Sequence, residues 1–266
     1  MKLKKTILNL SLCMLAAMVL VLSGCTQDQE KSSEKEEIKK VSALDKIKEA
    51  GEISIGTSPD YPPFESIDDD GNVVGFDIDL AEAVAKEIGV KAKFVTMGFD
   101  SIITAVKNGQ VDVGISSFSV NEERKASIEF SVPYIATAQV IMVRKDSEIS
   151  SKKDLETSVI AAQMGTTGAE AASKIEGAEV KKVNDSNIAT MMLDNGSVDA
   201  VILDVAIAKE LSSKHDFKVV GEDLNAEQTA VVIKKDNDEL KAAINKAIKT
   251  LKDNGKLDEL KSKWDI

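Results

Sequence analysis

Two stretches of the chain repeat one supersecondary pattern, and that repeat constrains the fold more than any other feature. Residues 100–117 read DSIITAVKNGQVDVGISS, and residues 186–204 read SNIATMMLDNGSVDAVILD. Each begins with a residue suited to capping a helix, Asp100 in one and Ser186 in the other. Each continues with an apolar stripe at helical spacing: Ile102, Ile103 and Val106, then Ile188, Met191 and Met192. Both stripes stop at Asn-Gly, where the glycine can take the left-handed conformation that closes a helix. A Val-Asp pair then introduces a short apolar run, 111–115 in the first copy and 200–203 in the second. Two helix-to-strand units of this kind predict two related α/β lobes.

The remaining segments fit that organisation. Residues 53–57 form an apolar strand that enters Pro59-Asp60-Tyr61-Pro62-Pro63-Phe64, a loop stiffened by three prolines. A hairpin turn is expected at Asp70-Gly71. Asp77 is placed to cap a helix with Leu80, Ala81, Val84 and Ile88 on its buried face. Further strands are expected at 94–95, 159–162, 180–183 and 230–233, and helices at 167–175, 205–211 and 238–253. Alternating strands and helices imply mainly parallel sheets, whose ligand sites lie at the C-terminal ends of the strands.

The first 24 residues read as a processing signal. Lys2, Lys4 and Lys5 precede an almost wholly apolar run from Thr6 to Leu22, which closes on Leu22-Ser23-Gly24-Cys25. Small residues before a cysteine form a lipobox, so Cys25 is the expected lipidation site, holding the protein to a membrane without spanning it. Residues 25–40 are polar and highly charged, the composition of a flexible tether. Cys13 leaves with the signal, so the processed chain has no disulfide framework, no thiol nucleophile and no cysteine metal site. The formal net charge of −11 becomes more negative once three lysines are removed. That balance argues against a nucleic-acid partner. Diacyl anchoring fits a Gram-positive bacterium.

The strand ends carry hydrogen-bonding groups and little catalytic chemistry. Ser58, Asp60 and Tyr61 follow the first strand, and Phe99 follows Met97-Gly98. Ser116, Ser117 and Ser119 follow the strand of the first repeat, with Arg124 just beyond. Gln163, Gly165, Thr166 and Thr167 follow the strand at 159–162, and Asp204 ends that of the second repeat. Tyr61 and Phe99 offer aromatic faces. Ser117, Ser119 and the planar fork of Arg124 suit a carboxylate, and Gly165–Thr167 opens a helix whose N–H groups can help. Asp204 suits an ammonium, although an aspartate there also reads as a helix N-cap. Together these groups complement a zwitterion.

Five stretches carry a family resemblance: IGTSPDYPPFE (55–65), GNVVGFDIDLAEAVAKEIG (71–89), SSFSVNEERKASIEFSVPY (116–134), MGTTG (164–168) and VDAVILD (198–204). Through them the chain, from about Ala43 to Trp264, resembles the family 3 periplasmic-type solute-binding proteins, the polar amino acid binders of ABC importers. The resemblance implies a type II periplasmic binding protein fold, with two Rossmann-like lobes joined by hinge strands near 136–139 and 229–231. Lobe 1 would comprise 41–137 and 231–266, and lobe 2 would comprise 138–230. Tyr61 and Phe99 would sandwich the ligand side chain. Ser117, Ser119 and Arg124, with Thr167, would hold the α-carboxylate, and Asp204 the α-ammonium. Ser58, Ser116, Gln163 and Thr166 would complete the pocket. The implied partners are a free amino acid and the permease and ATPase of an importer, with the protein itself a monomer and no cofactor or metal required.

In relatives that bind lysine, arginine or histidine, the position matching Ser58 is commonly aspartate. Asp60 and Glu65 lie near enough in sequence to supply the missing acid. The expectation is therefore a basic amino acid, arginine or lysine, with glutamine or another neutral polar amino acid as the alternative. A dehydratase-like enzyme on the same fold would be favoured by a pocket carboxylate of strongly raised pKa. Against it, the single histidine, His215, lies in a polar stretch. Ser66, Asp68, Asp70, Gly71 and Asp77 echo a calcium loop but lack its first aspartate and final glutamate.

Overall fold

The computed structural model describes residues 41–266. The expected signal segment, the Cys25 lipidation site and the tether lie outside the described residues. Helix α1 (Ala43–Ala50) opens with a reciprocal cap between Ser42 and Asp45 and closes at Gly51, φ 72°, which turns the chain into strand β1 (Glu52–Thr57). The short strands β2 (Ser66–Ile67) and β3 (Val73–Val74) form the expected hairpin, its turn passing through Gly71 at φ 84°. Asp68 accepts the N–H groups of Asp70 and Asn72, so the acidic run makes a turn. There follow α2 (Phe76–Ile88), β4 (Lys91–Thr96), α3 (Phe99–Asn108), β5 (Val113–Gly114), the single turn α4 (Glu122–Lys125) and β6 (Glu129–Phe130). The ten-residue β7 (Ile135–Arg144) leads to β8 (Val159–Gln163), α5 (Thr167–Ser173), β9 (Glu179–Val183), α6 (Ser186–Asp194), β10 (Ala200–Asp204) and α7 (Val205–Lys214). The long β11 (Phe217–Thr229), β12 (Val232–Ile233), α8 (Asp238–Asp253) and α9 (Lys256–Lys263) complete the chain.

The strands form two five-stranded sheets, ordered β4-β1-β5-β12-β6 and β11-β7-β10-β8-β9. This is the two-lobed α/β fold that the repeat implies. The sheets are less parallel than expected. β1 runs parallel to β4 and β5, and β8 parallel to β9 and β10. The strands that carry the chain between sheets pair antiparallel, β12 with β5 and β6, and β7 with β10 and β11. The first sheet draws its strands from residues 52–130 and 232–233, and the second from 135–229. Phe64, Phe76 and Leu80 are fully buried in the first layer, and Ile141, Ile160 and Ile202 in the second.

Three caps differ from the sequence reading. Gly98 precedes α3, which leaves Asp100 in the first turn, and Asp185 caps α6 by accepting the Asn187 N–H. Ser186 is thereby free to bond across the cleft. The third difference is larger: Gly75 precedes α2, and Asp77 is fully buried in the first turn of that helix. Gly75 sits at φ 141°, and a Cβ there would lie 2.0 Å from the Phe64 carbonyl oxygen. That carbonyl accepts the Asp77 N–H, so close approach at Gly75 locks the proline loop onto α2. Gly75→Ala should lower stability in urea unfolding by more than about 2 kcal/mol. Gly71→Ala, at φ 84° with nothing within 4 Å of the added carbon, should lose only about 1 kcal/mol.

Candidate functional site

The C-terminal ends of the two sheets face one cleft. Tyr61, Phe99, Ser116, Ser117, Ser119, Arg124, Gln163, Thr166, Thr167 and Asp204 all line it, joined by Glu65 and Gln139. Ser58 does not line it. Its hydroxyl donates to Asp60 (2.8 Å) and its N–H donates to the Ser116 hydroxyl (3.2 Å), which places it behind the wall.

Arg124 is set by the short α4, whose N-cap Asn121 accepts the Arg124 N–H. Its guanidinium lies 5.6 Å from the Phe99 ring centroid and 5.3 Å from that of Phe118. The two rings stack 4.5 Å apart. It donates to the carbonyls of Ser119 (2.6 Å) and Gly165 (2.9 Å). Burial pulls its pKa below the ordinary value, against the charges of Glu170, Glu227 and Glu123.

Asp204 ends β10 and serves two ends at once. One oxygen caps α7 through the Ala206 N–H (2.9 Å), and the other accepts the Thr137 hydroxyl. Its own N–H donates to the Tyr61 hydroxyl across the cleft (3.0 Å). Burial pushes the carboxyl up to about 6, opposed by the bonds from Thr137 and Ala206 and reinforced by the Glu227 charge. Neither Arg124 nor Asp204 forms an ion pair among the described residues.

Glu65 and Asp77 form a buried acid pair under the same wall. Asp77 accepts the Ser117 N–H (2.5 Å) and the Tyr134 hydroxyl (3.0 Å). Glu65 accepts the Ser116 hydroxyl at 2.6 Å through one oxygen, and its other oxygen is buried with no partner. Burial raises Asp77 to about 7, and burial plus the Asp77 charge holds Glu65 well above the usual carboxylate range. The Ser117 hydroxyl and the Gln139 amide oxygen are likewise buried and unpartnered.

Asp60 holds the two sides together. It takes Ser58 from its own side, and the Gln163 amide (2.8 Å) and the Ser186 N–H (2.8 Å) from the other. Thr166 caps α5 and donates to the Gln163 carbonyl (2.7 Å), which occupies its hydroxyl within its own segment. Thr137, Gln139 and Glu227 had no place in the sequence reading. The available signal was the polar pair Thr137 and Gln139, spaced by two on an otherwise apolar strand and so on one face of it.

A two-lobed α/β protein with a polar cleft carrying buried, unpaired charges of both signs is a small-molecule receptor. The comparisons assign its kind: residues 53–265 match the model for bacterial extracellular solute-binding proteins, family 3, and the chain belongs to that family. It is 36% identical over 219 residues to the arginine-binding extracellular protein ArtP of Bacillus subtilis, covering 80% of this chain and 85% of that protein. It is 30% identical over 226 residues to the L-cystine-binding protein TcyJ of Escherichia coli, covering 83% and 85%. Among solved structures, a mutant of ArgBP from T. maritima superimposes with a TM-score of 0.80 at 40% identity, covering 83% of this chain and 98% of that one. These relatives are binding proteins of transport systems, not enzymes.

Raised carboxyls give the ligand-free protein a defined pH response. Unfolded carboxylates release their protons near pH 4, whereas Asp204 and Asp77 retain theirs in the folded state to about 6 and 7. Between those limits the folded state binds more protons, so its stability falls as pH rises. The melting temperature should drop by several degrees from about pH 5 to about pH 7.5. Glu65→Gln, which removes one ionisable member of the buried pair, should flatten that slope.

Proposed function

We propose that the protein captures a free amino acid with a cationic side chain, arginine or lysine, and delivers it to an ABC permease from an anchor at Cys25. The observation that carries this reading is the pairing of Arg124 with Asp204: two buried, opposite charges in one cleft, neither with a counter-ion among the described residues. A zwitterion supplies both counter-ions together, and burial without them is costly. The α-carboxylate goes to Arg124, the unpartnered Ser117 hydroxyl, Ser119 and Thr167, and the α-ammonium goes to Asp204. The side chain lies along Tyr61 and Phe99 toward Glu65, whose unpartnered oxygen exchanges its proton for the ligand cation. Asp60, the other candidate acid, already has its hydrogen bonds filled by Ser58, Gln163 and Ser186. The names of ArtP and ArgBP, arginine binders, support the same preference.

The raised Asp204 carboxyl meets the criterion that would have favoured a dehydratase. Here desolvation is its main cause, which a binding cleft produces as readily as a catalytic one, and the exposed His215 is no part of the cleft. The lobes, 41–137 with 231–266 and 138–230, hinge on β7 and β11, so a ligand held by both favours the closed form. The protein works as a monomer at the surface of a Gram-positive cell.

The purified protein, freed of bound ligand by unfolding and refolding, is titrated with each of the twenty amino acids while its melting temperature is followed. Arginine or lysine at a hundred times its dissociation constant should stabilise the fold by about 2.7 kcal/mol. Arg124→Ala should weaken binding by at least about 2 kcal/mol. Glu65→Gln should shift preference toward glutamine. Affinity should fall below about pH 6, because protonated Asp204 must lose its proton to receive the ammonium. A response to acidic amino acids alone, or to none, overturns the assignment.

A further inference from the structure

Glu227 lies on β11, with its Cα paired to Thr137 of β7. One of its oxygens accepts three hydrogen bonds: from the Ser119 hydroxyl (2.5 Å), the Thr167 hydroxyl (2.8 Å) and the Gln139 amide (3.2 Å). The other accepts the Asn225 amide at 2.5 Å. Ser119 and Thr167 come from opposite lobes, and they are two of the donors that the amino-acid reading gives to the ligand carboxylate. A hydroxyl has one proton to donate. While both protons point at Glu227, neither can point at a ligand.

We propose that Glu227 is a resident carboxylate in the subsite for the ligand's α-carboxylate, and that an incoming amino acid must exchange with it. The inference rests on the zwitterion reading given above. Three further observations bear on it. The nearby Arg124 feels the Glu227 charge yet spends its donors on the Ser119 and Gly165 carbonyls, which leaves the guanidinium short of an anion partner. Asp204, the other ionised neighbour, repels Glu227 from across β7 and so favours its departure. β11 is an edge strand of its sheet, and Glu227 is half-buried between the exposed Ala226 and Gln228. The side chain can therefore swing toward solvent without opening a cavity in the core.

Exchange has a defined consequence. Affinity is reduced by the fraction of molecules in which Glu227 holds the two hydroxyls, and release is assisted when it returns. Glu227 thereby sets affinity through competition, in contrast with Asp204 and Arg124, which set it through attraction.

The test uses acetate, a carboxylate without the rest of an amino acid, and the amino acid that stabilises the unaltered protein. In Glu227→Ala, sodium acetate should raise the melting temperature relative to sodium chloride of equal ionic strength, while leaving the unaltered protein unmoved. The same substitution should lower ligand-free stability but tighten amino-acid binding by about tenfold. Glu227→Gln keeps the length of the side chain and removes its charge. It should tighten binding by a smaller factor, and it serves if the alanine variant does not fold. Equal or absent acetate effects in the two proteins overturn the proposal, as does weaker amino-acid binding in either variant. If acetate selectively stabilises Glu227→Ala but no amino acid binds either protein, the zwitterion reading fails and the resident carboxylate stands.

Discussion

The Asp77 carboxylate, buried at the start of α2, receives the Ser117 N–H at 2.5 Å and the Tyr134 hydroxyl at 3.0 Å. Ser117 has φ 49°, a left-handed conformation that costs a residue with a side chain on the order of 1–3 kcal/mol. A buried hydrogen bond from its N–H to Asp77 offsets part of that cost and holds the bend. The bend lets successive residues after β5 turn different groups into the cleft, namely Ser116 toward Glu65 and Ser119 toward Thr167 and Glu227. Gly75 supports the same point from behind, since only a residue without Cβ lets the Phe64 carbonyl reach the Asp77 N–H. The wall of the first lobe thus hangs on one carboxylate and one glycine, neither of which touches the cleft.

The electrostatics of the cleft follow from what surrounds that wall. Glu65 and Asp204 line it, with Asp60, Asp77 and Glu227 close by, against one buried cation among the described residues, Arg124. Buried carboxylates without counter-ions hold their protons to a higher pH than they would in water, as Asp77 and Asp204 do. This balance is what supports the proposed preference for a ligand with more positive charge than negative over one with an acidic side chain.

Much of this was legible in the residues. The repeated helix–Asn-Gly–Val-Asp–strand unit placed both lobes because helix stops and strand starts are set by local chemistry. Nearly every polar side chain at a strand end reached the cleft, since in open α/β sheets those ends converge. Ser58 did not, because its short hydroxyl found Asp60 two residues away before it could face a ligand. Asp77 read as a cap because aspartate near a helix start usually is one. Its real partners, Ser117 and Tyr134, lie 40 and 57 residues on, and no local pattern encodes them. Glu227 and Gln139 escaped for the same reason: cross-strand register between β7, β10 and β11 brings them in, and the register shift between Val220 and Asn225 cannot be counted from spacing. Whether Glu65 or Asp60 faced inward was likewise settled only by packing.

Asp60 joins the two lobes through groups the protein supplies itself, the Gln163 amide and the Ser186 N–H, with its own carbonyl taking the Ser186 hydroxyl. Burial raises the Asp60 pKa, as expected of a carboxylate sealed at a seam. On the hinge motion proposed above, such a clasp lowers the free energy of the shut form before anything has bound. The cargo then has to contribute only the remaining part of the conformational work. On that proposal intrinsic affinity and shape-change are decoupled to that extent, and a single aspartate becomes the dial for how often an empty molecule resembles a loaded one.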